Sequence, residues 1–322
     1  MKKFSKVIVV TIVALVLVAV IGLGYVTMYL PDVGKPENIK IALTPQRIAR
    51  GKYLANHVAL CMDCHSQRDW VKKVVGMADA DKFGVGGNIF DSDDNVPGKI
   101  YAPNITPFHL KDWTDGEIFR AITTGESKDG HPLFPLMPWK NFAKMDREDL
   151  YSIIAYIRTL KPLRAEAYPA HQLDFPTNII VHLMPEKASL GKLPSAGDTI
   201  AYGKYLVTSA SCTFCHTQSN KGTPLPGMEL AGGVTFKLGN ATVKSANITP
   251  DKATGIGNWT REAFLQRFKD VRDTASAIYK QSLKFKTVMP WYDYAGMNDT
   301  DLKAIYAYLR TIKPVSNKVI TW

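Results

Sequence analysis

The chain carries the same text twice. GKYLANHVALCMDCH (51–65) matches GKYLVTSASCTFCH (203–216), and APNITP (102–107) matches SANITP (245–250). DWTDGEIFRAI (112–122) matches NWTREAFLQRF (258–268), and PLMPWKNFAKMDREDLYSIIAYIRTLKPL (135–163) matches TVMPWYDYAGMNDTDLKAIYAYLRTIKPV (287–315). Cys61 precedes Met137 by 76 positions and Cys212 precedes Met289 by 77. A duplicated text predicts two copies of one small folded unit in tandem. The 322 residues leave room for two units of roughly 120 residues each. The segments expected are 1–30, 31–45 as a tether, 46–165 as the first unit, 166–198 as a linker and 199–322 as the second unit. Pro169, Pro176, Pro185, Pro194 and Gly197 mark the linker.

Each unit reads as all-α. A short helix begins near Thr44-Pro45, with proline at its first position, and carries Ile48, Tyr53 and Leu54 on its inner face. Thr114 with Glu117 makes a capping box, and Thr260 is the equivalent cap with Ala263 leaving its box incomplete. The last helices start at the N-cap residues Asp146 and Asn298 and stop before Pro162 and Pro314. The stretch 83–105, with its GVGG and DSDDNVPG, lacks a helical period and reads as a long loop with a short hairpin.

The N-terminus belongs to neither unit. Lys2, Lys3 and Lys6 precede an uncharged run from Val7 to Leu30. As a helix that run would span ~36 Å, against ~30 Å of bilayer hydrocarbon. It is longer than the apolar part of a cleaved secretory signal, and no A-x-A site follows. An uncleaved anchor is expected, in the cell's inner membrane. The lysines would stay in the cytoplasm and both units would lie on the periplasmic or outer side.

All four cysteines fall in two pentapeptides, CMDCH (61–65) and CTFCH (212–216). Exported cysteines usually form disulfides, but two intervening residues suit a purely structural bridge poorly. Zinc would need two further ligands per site. Histidine directly after the second cysteine is the pattern of covalent c-type haem attachment. Two thiols one helical turn apart can add to the two vinyl groups of one haem, and the adjacent imidazole then faces the iron. The expectation is two covalently bound haem c groups, on Cys61, Cys64 and His65, and on Cys212, Cys215 and His216.

The sixth ligand decides whether an iron carries electrons or reacts. Of ten methionines, two pairs align between the repeats: Met137 with Met289, and Met145 with Met297. Met145 and Met297 precede an N-cap, with Leu150 and Leu302 at the fourth helical position, which makes a hydrophobic staple. Met137 and Met289 have no such role. Each precedes proline, which holds it in extended backbone. They are the expected distal ligands. His131, six residues before Met137, is the rival, but its repeat counterpart is Leu283. His57, four residues before Cys61, could reach the haem edge but reads rather as packed or solvated, and His109, His171 and His182 fall in loops or the linker. Trp113, Trp139, Trp259 and Trp291, with Tyr101, Tyr156 and Tyr308, are apolar wall by default. Asn104 and Asn247 would either donate to a haem propionate or pin their own turns.

These motifs resemble those of membrane-bound multihaem cytochrome c proteins, in particular the cytochrome subunits of quinoprotein alcohol and flavin-dependent sugar-acid dehydrogenases. The resemblance runs from Gly51 to Val315 and rests on CMDCH, CTFCH, PNITP, ANITPD, LMPW, VMPW and the closing helices. It implies small all-helical domains with His and Met on iron. Those subunits carry three haem motifs and a C-terminal membrane segment. Here there are two motifs and an N-terminal apolar run, so the resemblance does not carry over the partner.

Residues 46–165 hold 17 basic against 15 acidic side chains, net +2, whereas residues 199–322 hold 16 against 8, net +8. A basic second unit suits an acidic redox partner, with a solvated surface as the plain alternative. Nucleic acid has no motif here. The expected function is electron transfer from a dehydrogenase or quinol-oxidising complex to an acceptor such as a terminal oxidase. The alternative is a diheme peroxidase-type enzyme, which needs one open iron position.

Overall fold

The computed structural model is mostly helical and describes residues 2–67, 80–165, 168–169, 171–195, 197–220, 222–238, 241–274 and 288–320. Helix α1 (Lys2–Tyr29) leaves most of its apolar side chains exposed and meets the globular part at α8 (Thr177–Ile180) and the turn that follows it. The first unit is built from α2 (Pro45–Tyr53), α3 (Cys61–Cys64), α4 (Pro107–Leu110), α5 (Asp115–Thr124), α6 (Trp139–Phe142) and α7 (Arg147–Arg158). After a short α8 (Thr177–Ile180), the second unit follows with α9 (Thr199–Ser209), α10 (Cys212–His216), α11 (Arg261–Thr274), α12 (Trp291–Ala295) and α13 (Asp299–Leu309).

The first and last helices of each unit cross at a glycine. A Cβ on Gly51 would collide with the carbonyl of Ser152 on α7, and one on Gly203 with the carbonyl of Ala304 on α13. Only hydrogen fits between backbones this close. The apolar residues around the crossings join one continuous core that includes Leu54, Ile153 and Ile154 of the first unit and Leu206, Leu302 and Leu309 of the second.

The capping expectations hold. Thr114 Oγ1 accepts from Glu117 N (3.1 Å) and Glu117 Oε2 from Thr114 N (2.7 Å). Thr260 accepts from Ala263 N alone (3.1 Å). Met145 and Leu150 are fully buried, as are Met297 and Leu302, so both staples form. The loop after Phe83 contains the expected hairpin, β1 (Ile89–Phe90) against β2 (Gly98–Tyr101).

Two findings go beyond the repeat. Cys61 lies one residue further from Gly51 than Cys212 does from Gly203. That extra residue is taken up in a π-helical turn, Leu54–Val58, closed by Ala59 N on Leu54 O at 2.7 Å. The connection between units is also far from loose. β3 (Gln172–Leu173) pairs with β2, Tyr168 donates to Val85 O (3.2 Å), and Glu186 N donates to Thr124 O (3.1 Å). The tether is docked as well: Val33 N donates to Glu126, Arg120 to Gly34 O, and Ile41 N to Asp115.

The two units meet through a reciprocal contact. Tyr53 of the first donates to Asp301 of the second (2.6 Å), and Tyr205 of the second donates to Asp149 of the first (2.6 Å). Tyr53 packs against the core, as its place on the inner face predicts, and its hydroxyl reaches the neighbouring unit.

Candidate haem sites

Each CxxCH pentapeptide is a short helix entered through a strained residue. Leu60 (φ 53°) and Ser211 (φ 54°) adopt the left-handed conformation just before Cys61 and Cys212. Non-glycine residues rarely sit there, and at a site such strain points to a backbone held for a purpose. No disulfide joins the four cysteines. Burial pushes Cys61, Cys64 and Cys212 up to about 12 and Cys215 up to about 11, so the thiols stay protonated.

The histidines are braced identically. His65 Nδ1 lies 2.8 Å from Pro103 O, and His216 Nδ1 lies 2.7 Å from Ala246 O. A carbonyl can only accept, so Nδ1 carries the proton and Nε2 keeps its lone pair. Burial lowers both imidazoles below the ordinary histidine range, against the raising effect of that contact, which favours the neutral, ligating form.

A second brace holds the backbone. Gly86 N donates to His65 O (2.8 Å) and Gly232 N to His216 O (2.7 Å). Both glycines have positive φ, 75° and 70°, and a Cβ on either would meet the Pro103–Asn104 or Ala246–Asn247 backbone. The same peptide segment therefore holds the ring and packs against the glycine that holds the main chain. Sequence reading missed these glycines as site residues, although GVGG and AGGV stand at comparable places in both units.

Asn104 and Asn247 pin their own turns. Each accepts from the threonine two residues on, at 2.7–2.9 Å, through Oδ1. Each also donates through Nδ2 to a carbonyl past the last helix, Leu163 O (2.7 Å) or Val315 O (2.8 Å). Both ends of the side chain are thus used within the protein.

The first unit encloses a cavity of about 1030 Å³, and Cys61, Cys64, His65 and Met137 all line it. Ile100, Ile118, Leu133, Phe142 and Ile153 make apolar wall. The chemistry fits a haem: a large apolar slot, two thiols and a free imidazole nitrogen on one helix, and a thioether on another segment. In the second unit Cys212, Met289 and Trp291 pack against the common core, and Trp291 meets Phe268 at 5.3 Å between ring centres. His131 lines the first cavity too; its counterpart Leu283 lies outside the described residues. His109, His171 and His182, read from sequence as plain loop residues, also line it. His57 is packed, with Nδ1 2.9 Å from Asp293 O of the other unit. Among the described residues no three His, Cys, Asp or Glu side chains gather around a metal position.

Paired thiols, a braced imidazole and an apolar slot on a small helical unit are the design of a c-type cytochrome. Residues 200–313 match the family model of cytochrome c, so the chain contains a cytochrome c domain, and such a domain carries covalently bound haem c. The chain is 30% identical over 235 residues to the cytochrome c subunit of a quinone alcohol dehydrogenase from Gluconacetobacter polyoxogenes, covering 68% of this chain and 49% of that one. It is 30% identical over 288 residues to the fructose dehydrogenase cytochrome subunit of Gluconobacter japonicus, covering 82% and 52%. A diheme cytochrome c-type protein of Cereibacter sphaeroides is 28% identical over 229 residues, covering 68% and 73%. The chain thus spans about half the length of the dehydrogenase subunits it matches. These three relatives are named as cytochrome subunits of dehydrogenases and as a diheme cytochrome.

Proposed function

We propose that the chain is a membrane-anchored diheme cytochrome c that passes electrons from a dehydrogenase or quinol-oxidising donor to a downstream acceptor such as a terminal oxidase. In this reading 46–165 and 199–322 are the two haem domains and α1 crosses the inner membrane, leaving both domains outside. The observation that carries it is the paired brace, His65 on Pro103 O and His216 on Ala246 O, at matching positions of the repeat. Two separate sites tuned the same way support two haems.

Haem, when bound, supplies a reversible one-electron iron couple. The residues do the rest. Cys61 with Cys64, and Cys212 with Cys215, would hold the haem covalently. The braces fix the tautomer of His65 and His216 and leave Nε2 free to bind its iron. Met137 and Met289 would supply a second ligand to each iron, which favours electron transfer over reaction with small molecules. The shared core of the paired units would hold these residues in place as electrons pass. A peroxidase-type role is not favoured, because a methionine stands at the distal position of both repeats.

Intact-protein mass spectrometry of membrane-extracted material tests the haem count: two adducts are expected, and fewer would end the diheme reading. Copurification from detergent-solubilised membranes then tests the partner, with a dehydrogenase expected and an unaccompanied chain counting against it.

A further inference from the structure

We infer that a charge-free turn in the connection between the units, 177–183 together with Phe175, docks on the bilayer surface beside α1, so that the first unit is seated on the membrane rather than tethered above it. The inference rests on the reading of α1 as a membrane span.

The stretch TNIIVHL carries apolar side chains facing both inward and outward, with Asn178 exposed beside them. Val181 faces inward and is 4% exposed, while Ile180 and Leu183, three residues apart and so on one helical face, are 44% and 59% exposed. Phe175 just before is 78% exposed. Three large apolar side chains exposed this close together form a patch whose removal from water would be favourable.

Its position supplies the occupant. Both α8 and the following turn, Val181–Leu183, pack against α1. His182 Nδ1 donates to the carbonyl of Leu30, the first residue past α1, at 2.8 Å. That carbonyl belongs to the helix end, where no intrahelical donor remains. Beside it Tyr25 and Tyr29 stack at 5.6 Å and are exposed, as expected of aromatic residues at a membrane–water boundary. The 26-residue span from Phe4 to Tyr29 rises ~39 Å, enough to bring Tyr29 to the headgroup level. Phe175, Ile180 and Leu183 therefore continue the apolar surface of α1 sideways at the interface.

The docked tether makes this seating rigid. Val33 N donates to Glu126 (3.1 Å), Arg120 donates to Gly34 O (3.2 Å), and Arg147 pairs with Glu37. Val181 and His182 also line the first cavity, so that cavity lies on the membrane side of the unit.

The test uses the full-length holoprotein in nanodiscs of uncharged phosphatidylcholine, which removes simple charge attraction. Single cysteines replace Phe175, Ile180 and Leu183 in turn, with Val13→Cys inside α1 and Lys303→Cys on the second unit as references. The native cysteines carry haem under the proposed function, so the added thiol takes the nitroxide label alone. Power saturation, with the haems reduced, compares collisions with oxygen and with a water-soluble nickel chelate. The oxygen-to-nickel ratio at 175, 180 and 183 is expected severalfold above that at 303 and below that at 13. A ratio at 180 and 183 equal to that at 303, with 13 still lipid-like, overturns the docking and leaves the anchor standing. An aqueous ratio at 13 overturns the anchor itself. Loss of nickel collisions without gain of oxygen collisions assigns the turn to a protein contact and also overturns the docking.

Discussion

The Tyr205 hydroxyl lies 2.6 Å from Asp149 Oδ2 and accepts in turn from Asp146 N at 3.2 Å. Tyr53 makes the same two contacts in the opposite direction, to Asp301 Oδ2 (2.6 Å) and from Asn298 N (3.2 Å). Exchange of the repeats exchanges the contacts, as in a twofold interface between identical subunits. The copies differ at the two carboxylates. Asp149 also takes a two-pronged bond from Arg50 at 2.8 Å, whereas Tyr202, the residue matching Arg50, gives Asp301 a hydroxyl at 3.0 Å.

This asymmetry sets an order of costs. Tyr205→Phe removes one hydrogen bond to a carboxylate that keeps its guanidinium, and should cost about 1–2 kcal/mol. Tyr53→Phe leaves Asp301 with a single tyrosine side chain as hydrogen-bond partner among the described residues, and should cost about 2–3 kcal/mol. Denaturant unfolding followed by far-ultraviolet circular dichroism measures both. The reverse order would refute this account of the interface.

The interface should also weaken in alkali. Burial first, then the Asp301 charge, raises Tyr202 from the ordinary 10 to about 12. A raised acid is protonated in the folded state while the unfolded chain has already lost its proton. The contribution is therefore complete below pH 10 and is lost as pH climbs from 10 through about 12. Tyr202→Phe should show a shallower fall of unfolding midpoint over that window. An unchanged slope would remove Tyr202 from the explanation.

The two methionine pairs should separate cleanly. Met137→Ala and Met289→Ala should each remove about half of the near-infrared methionine–iron band. Met145→Ala and Met297→Ala should keep the band and lower stability by about 2–5 kcal/mol, because both side chains fill the core. Loss of the band on changing Met145 would invert the assignment.

Gly86→Ala and Gly232→Ala force a side chain into positive φ and against the segment that holds the histidine. A cost of about 1–3 kcal/mol is expected. Mass spectrometry should show a larger share of chains lacking one haem. Full haem content and wild-type stability would show that the double brace is dispensable.

Much of the site was legible because it is local. Thiol spacing, the adjoining histidine, the staple methionines and the caps all act within a turn or two of helix, and the repeat filtered chance matches from real ones. The carbonyl braces were not legible, since Pro103 stands 38 positions from His65 and any residue type offers a carbonyl. The reach of the Tyr53 hydroxyl was not legible for a related reason: a tyrosine packed on the core can still offer its hydroxyl to a distant carboxylate.

The sequence by itself determined that there are two helical units, where their helices start and stop, and which side chains have the chemistry to hold a haem. Covalent spacing and short-range hydrogen bonding decide those matters. Tertiary structure alone decided how the units face each other, how the extra residue before Cys61 is stored in a π turn, and how the tether and connection are strapped onto the first unit. Those outcomes depend on groups brought together from distant parts of the chain, through backbone carbonyls and packing surfaces that no spacing along the sequence encodes.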